Sequence, residues 1–202
     1  MLIYLARHGQ TDWNKAKRLQ GWTDIDLNRT GRAQAALLRT RLEGEGIKQV
    51  YCSPLMRARN TAATLRGLAP IEYEPDLRER CMGAFEGRVL DGQDPELEHE
   101  FRSRKYKTGD ALDGGESIGQ FQRRVNGALD RIVKGGADGP LVIVGHGATN
   151  SMILGRFLQL DLDGNATLRV ANDDLFRIET DDGHVGRVWH ELIDPRRTRM
   201  SR

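Results

Sequence analysis

Two apolar runs, Leu2 to Ala6 and Leu141 to Val144, each lead within two residues to a histidine followed by glycine, His8-Gly9 and His146-Gly147. Short unbroken apolar runs read as strands buried on both faces, the habit of parallel sheets covered by helices. Between the runs the apolar spacing becomes helical. Thr30 to Glu45 carries Ala33, Ala36, Leu37 and Leu42 at helical spacing, with Thr30 as N-cap or first-turn residue and Gly44 and Gly46 as the stop. Ser117 to Lys134 sets Phe121, Val125, Ala128, Leu129 and Ile132 on one side and Arg123, Arg124 and Arg131 on another, predicting a long amphipathic helix.

The shorter segments fill in the same alternation. Ile47 to Cys52 reads as a strand that gives way at Ser53-Pro54 to a helix running to Arg66, with proline suited to a helix start. Ile71 to Tyr73 is a short strand, Asp76 to Gly87 an irregular connection, Gln93 to Lys107 a charged helix, and Ala148 to Leu158 a helix. Gln20 to Asn28 and Gly109 to Gly115 are loops, and Asp174 to Glu179 with Gly183 to Leu192 forms an edge hairpin around Asp181-Asp182-Gly183. The pattern predicts an α/β fold, a three-layer α/β/α sandwich with a mostly parallel central sheet. Such sheets bind ligands beyond the carboxyl ends of their strands, and His8, Arg57 and His146 all follow strands, so they are expected to converge. Nothing marks a repeat or a boundary, so one domain is expected over residues 1–202, with 194–202 a flexible basic tail.

Composition narrows the function classes. The chain has 202 residues, 38% hydrophobic and 30% charged, and no segment approaches the roughly 20 apolar residues that cross a bilayer. The start lacks a secretory leader, which predicts a cytoplasmic protein without a membrane partner. A net charge of +2 and 6% aromatic residues do not make a basic face with interleaved aromatics, so no nucleic-acid partner is expected. Cys52 and Cys81 lack the spacing of a disulfide framework or a zinc site and read as packing residues.

The chemistry is concentrated at Arg7-His8. Histidine can act as a nucleophile, and the planar fork of arginine suits a dianionic phosphoryl group better than lysine does. A lone histidine at a strand end is more often a hydrogen-bonded structural residue, so other residues must decide the matter.

Four separated blocks do so: Arg7-His8-Gly9-Gln10-Thr11-Asp12-Trp13-Asn14, Ser53-Pro54-Leu55-Met56-Arg57-Ala58, Leu77-Arg78-Glu79 followed by Gly83 and Glu86-Gly87, and Val144-Gly145-His146-Gly147. With Gln20-Gly21-Trp22 and Gly114-Gly115-Glu116-Ser117, they make the chain resemble the histidine phosphatase superfamily, also called the phosphoglycerate mutase-like family. The resemblance implies that His8 attacks phosphorus and becomes a phosphohistidine. Arg7, Arg57, His146 and Asn14 would hold phosphoryl oxygens, with Gln20, Gly21 and Gly147 completing the binding site. It further implies that Glu79 protonates the leaving alcohol and then activates water. A protonated His146 would serve as a charge donor. No metal or cofactor is implied, because preorganised cations meet the charge of the transferring group.

Within the family the resemblance favours a phosphomonoester hydrolase acting on a small phosphorylated substrate. Cofactor-dependent mutases carry a longer insertion after the glutamate block, and a Tyr and a Lys for the substrate carboxylate. Met82 and Leu90 occupy the corresponding positions here. A mutase is the alternative, since Glu79-Arg80 and Gly83-Ala84 resemble the mutase block and Phe85 stands where many phosphatases have Trp. A non-catalytic phospholigand-binding protein is a minor alternative, and a homodimer is left open. Trp13 and Trp22 are expected to pack the pocket loops, and His99, His184 and His190 match no block.

Overall fold

The computed structural model describes residues 1–136, 138–181 and 184–194. Its centre is a six-stranded sheet of β1 (Leu2–Arg7), β2 (Gln49–Cys52), β3 (Ile71–Tyr73), β4 (Leu141–Gly145), β5 (Asp174–Asp181) and β6 (His184–Leu192), in the order β3-β2-β4-β1-β5-β6. The first four strands in that order run parallel, and β5 and β6 add an antiparallel edge hairpin. Residues 182–183 of its turn and residues 195–202 of the basic tail lie outside the described residues.

Both faces of the central strands are apolar, so the sheet needs cover on two sides. In β1, Ile3 and Leu5 enter one core and Tyr4 and Ala6 the other. In β4, Leu141 and Ile143 divide from Val142 and Val144 in the same way. The first core is closed by α5 (Ile118–Gly135) and α6 (Gly147–Phe157), the second by α2 (Arg29–Leu42) and α3 (Met56–Ala62). The helix α5 buries Phe121, Val125, Ala128, Leu129 and Ile132, as their spacing predicts, and starts at a capping box between Ser117 and Gln120. No helix among the described residues is long and apolar enough to cross a membrane.

Several local expectations need correction. In α2 the buried stripe is Ala35, Leu38 and Leu42, while Ala33 and Ala36 are exposed and Leu37 is half-buried. The segment from Ala33 to Leu38 offers apolar residues on several sides, so spacing alone does not choose the face. Its N-cap is Asn28, which accepts from Gly31 N–H at 2.9 Å, and Thr30 sits in the first turn. The helix α3 begins at Met56, not at Pro54, because Leu55 stays extended and Asp24 accepts the Met56 N–H at 2.6 Å. It passes at Ala63 into a 3-10 turn that ends at Leu65. The predicted charged helix is α4 (Pro95–Arg104). Two short helices carry no sequence expectation: α1 (Asp12–Lys15) and α7 (Leu162–Thr167), the latter running through Gly164 and Asn165.

The loop that leaves β1 is pressed against the start of α2. A Cβ on Gly9 would lie 2.3 Å from the Gly31 carbonyl oxygen, and one on Gly31 would lie 2.1 Å from that of Gln10. Glycine at both positions lets the loop turn beside α2.

Candidate active site

His8 is the first residue beyond β1 and is buried, with its backbone N–H on Gly145 O at 3.0 Å and its carbonyl accepting from Asn172 Nδ2 at 2.8 Å. Its Nδ1 lies 2.8 Å from Gly9 O. A carbonyl only accepts, so Nδ1 carries the proton and Nε2 keeps its lone pair. Burial, reinforced by the cations Arg7 and Arg57, holds the imidazole well below its ordinary value, so it is neutral near pH 7.

Arg7, His8, Asn14, Gln20, Gly21, Arg57 and Glu79 line a single cavity of about 130 Å³, together with Arg18, Leu19 and Met82. Arg57 is fully buried and fastened by three bonds: Nε to His146 Nδ1 at 3.2 Å, Nη1 to Thr23 O at 2.9 Å and Nη2 to Gly21 O at 2.7 Å. Burial pushes its guanidinium down to about 10, which leaves it a cation at neutral pH. Arg7 is also lowered by burial, against the raising influence of Glu79 and Asp174, and donates from Nη1 to Val170 O at 2.6 Å. The Oδ1 of Asn14 accepts from the Thr11 N–H and hydroxyl, both at 3.1 Å.

His146 and Gly147 are not part of that cavity wall. The His146 ring packs beside that of His8, with centroids 5.1 Å apart, and it is completely buried. Arg57 Nε can only donate, so His146 Nδ1 must be unprotonated, and Nε2–H faces Ser53 Oγ at 2.7 Å. Burial and the neighbouring Arg57 also hold the ring well below its usual value. His146 is thus a neutral imidazole, not the charged donor the resemblance implies. A charged ring would set a proton against Arg57.

Glu79 reaches the cavity from the irregular connection and closes the N-terminus of α6. Its Oε2 accepts from Ala148 N–H at 3.1 Å, and its Oε1 from Thr149 N–H at 3.2 Å and Arg80 N–H at 3.0 Å. Those donors fix the orientation of the carboxyl group across the first turn of α6. Neither flanking arginine pairs with it: Arg78 stacks on Trp22 at 3.9 Å and Arg80 bonds to the Glu116 carbonyl at 2.9 Å.

Three residues of the site were not among its expected residues. Arg18 enters the cavity wall while its Nη1 holds Gly87 O at 2.6 Å. Arg124 ties down the Glu79 segment through the carbonyls of Asp76 at 2.7 Å, Arg78 at 3.0 Å and Glu79 at 3.2 Å. Glu86 binds the loop carrying Gly21 through Trp22 N–H at 2.8 Å and Thr23 N–H at 3.0 Å. The Glu86-Gly87 block was the available signal for that last residue. Neither Trp13 nor Trp22 lines the cavity, and Trp22 Nε1 donates to Glu79 O at 2.7 Å. Burial raises the thiols of Cys52 and Cys81, so both stay protonated near neutral pH.

A mostly parallel sheet thus carries, beyond its strand ends, one cavity that gathers a neutral, tautomer-fixed histidine, two arginines and a carboxyl group. The chain belongs to the histidine phosphatase superfamily (branch 1), whose family model matches residues 3–191. It is 34% identical over 182 residues to the probable phosphoglycerate mutase GpmB of Yersinia pestis, covering 88% of this chain and 84% of that protein. Among solved structures it resembles a putative alpha-ribazole-5'-P phosphatase from Escherichia coli, at TM-score 0.82 and 25% identity, covering 95% of this chain and 97% of that one. It also resembles YhfR of Bacillus stearothermophilus, at TM-score 0.79 and 31% identity, covering 92% and 94%.

Proposed function

We propose that this protein is a phosphomonoester hydrolase working through a phosphohistidine on His8. The observation that carries the reading is the His8 tautomer: Nδ1–H is held on Gly9 O at 2.8 Å, leaving an unprotonated Nε2 in a cavity with Arg7, Arg57 and Glu79. Nε2 attacks phosphorus, the phosphorus–oxygen bond to the alcohol breaks, and a proton from Glu79 goes to the departing oxygen. Glu79 then takes a proton from water as the water oxygen attacks phosphorus and the phosphorus–Nε2 bond breaks, releasing phosphate and restoring His8. Arg7 and Arg57 meet the charge on the transferring group.

A phosphoglycerate mutase is the second reading, favoured by the name of the Yersinia pestis relative. A mutase must retain a bisphosphorylated intermediate and exclude water. Met82 in the cavity wall and Leu90, packed on the cluster of Phe85, Phe101 and Leu112, bring no cation to a substrate carboxylate, which supports the hydrolase. The test is hydrolysis of para-nitrophenyl phosphate and a panel of phosphate esters in EDTA, with 3-phosphoglycerate isomerisation assayed alongside. EDTA-resistant phosphate release that disappears in His8→Ala supports the hydrolase, and isomerisation without release overturns it in favour of the mutase.

A further inference from the structure

Arg7 lines a second cavity as well, of about 200 Å³, larger than the one that holds His8. Its wall is mostly apolar, built from Ile118 and Phe121 of α5, Met152 of α6, Leu162 of α7, Leu168 and Val170, with Arg7, Ser151, Asn165 and Arg169 among its polar members. The Ser151 hydroxyl, one of its few polar groups, is spent on Gly147 O at 2.9 Å. Tyr106 and Arg169 are its exposed members and mark the side open to solvent.

The two cavities share Arg7 as a common wall, and the second is bordered by groups that hold Arg7 and Glu79. Val170 lines the apolar cavity and also anchors Arg7 Nη1 through its carbonyl at 2.6 Å. Gly147 borders it where a Cβ would lie 3.2 Å from Arg7 Cζ, so the guanidinium rests on the first turn of α6. Ala148 lines it too, and its N–H holds Glu79 Oε2 at 3.1 Å. Glu79 Oε2, the group that faces the leaving alcohol in the proposed reaction, thus lies 3.1 Å from the N–H of a residue of this wall. A cavity of roughly 150 Å³ lined by aliphatic and aromatic side chains takes up a benzene ring, so the space here accommodates one ring.

We infer that this cavity is the subsite for an apolar part of the substrate alcohol, an aryl or branched aliphatic group. The enzyme accordingly selects phosphomonoesters of such alcohols over small polar ones. The inference deepens the phosphoryl-transfer reading and rests on it.

Calorimetric titration with phenylphosphonate and methylphosphonate, neither of which can be hydrolysed as an ester, tests it on wild type and on Ser151→Phe and Leu168→Trp, both at residues that line the cavity. The wild type is expected to bind the phenyl compound about tenfold more tightly or better, a preference that either plug reduces to within about twofold. Thermal melting identifies which variants fold, and two plugs from different elements guard against the loss of one. Equal affinities in the wild type, or a preference that survives in both folded variants, overturn the subsite. If phenyl phosphate is not hydrolysed while the binding preference and its loss are observed, the hydrolase reading fails and the subsite stands.

Discussion

Arg57 Nε donates to His146 Nδ1 at 3.2 Å, and this bond dictates the protonation of the second histidine. The proton left on His146 goes to Ser53 Oγ at 2.7 Å, so a residue of β2's exit loop, the first turn of α3 and the end of β4 form one buried chain. Arg57→Lys keeps the charge but loses the planar fork. Replacement leaves the carbonyls of Gly21 and Thr23 without a donor, at about 1–3 kcal/mol for each buried group. The expected outcome is a fall in kcat/KM of about 10²-fold or more, read by steady-state kinetics, with a lower melting temperature. Wild-type kinetics in Arg57→Lys would remove Arg57 from the account.

Glu79→Gln separates proton donation from packing. The amide retains one oxygen for the α6 N–H groups but cannot deliver a proton to an alkoxide. For an alkyl phosphate kcat/KM is expected to fall by about 10²–10⁴-fold. The loss should be much smaller for para-nitrophenyl phosphate, whose leaving group departs without a proton. An equal loss for both esters would assign Glu79 to positioning alone.

Gly21 is the hinge of the loop that Arg57 and Glu86 hold. Its φ is +50°, and a Cβ there would lie 2.0 Å from Glu86 Oε1. Gly21→Ala is expected to cost about 1–3 kcal/mol through strain and displaced bonds. Because the loop lines the phosphate cavity, KM should rise as well. Urea unfolding and kinetics check both parts, and a variant indistinguishable from wild type would contradict the geometry.

The two buried histidines make stability depend on pH in a definite direction. Both imidazoles are held well below the ordinary value of about 6.5, so below that pH the unfolded chain binds protons the folded chain refuses. Their stabilisation is present above about pH 6.5 and is lost as pH falls, with a slope approaching 1.4 kcal/mol per pH unit for each ring. Urea unfolding between pH 7.5 and 5.5 should show a shallower loss in His8→Asn than in the wild type. Equal slopes would mean that His8 is not held neutral.

The sheet and its flanking helices are legible in the sequence wherever the pattern is long and one-sided. The apolar runs of β1 and β4 and the stripe on α5 reappear in the structure because burial on these faces is unambiguous. The face of α2 is not legible, because Ala33 to Leu38 is apolar on several sides and only the neighbouring sheet chooses Ala35 and Leu38. Nor is α7 visible, since Gly164 and Asn165 carry no helical signal and its start depends on Asp161 accepting from Gly164 N–H at 2.7 Å. At the site, strand ends and family blocks point to His8, Arg57 and Glu79. Arg18 and Arg124 stay hidden because their roles depend on reach, across 69 residues to Gly87 O in one case and 45 to Glu79 O in the other. The charge state of His146 is equally hidden, because a hydrogen bond from Arg57 decides it.

The most direct measurement is to trap the phosphoenzyme. Rapid mixing with a phosphate ester, alkaline quench and mass spectrometry of the peptide containing His8 should find a phosphoryl group on that imidazole, stable in base and lost in acid. The group should be absent from His8→Asn and should decay on the timescale of phosphate release. Turnover without any phosphorylated His8, or a phosphoryl group on another residue, would contradict the account.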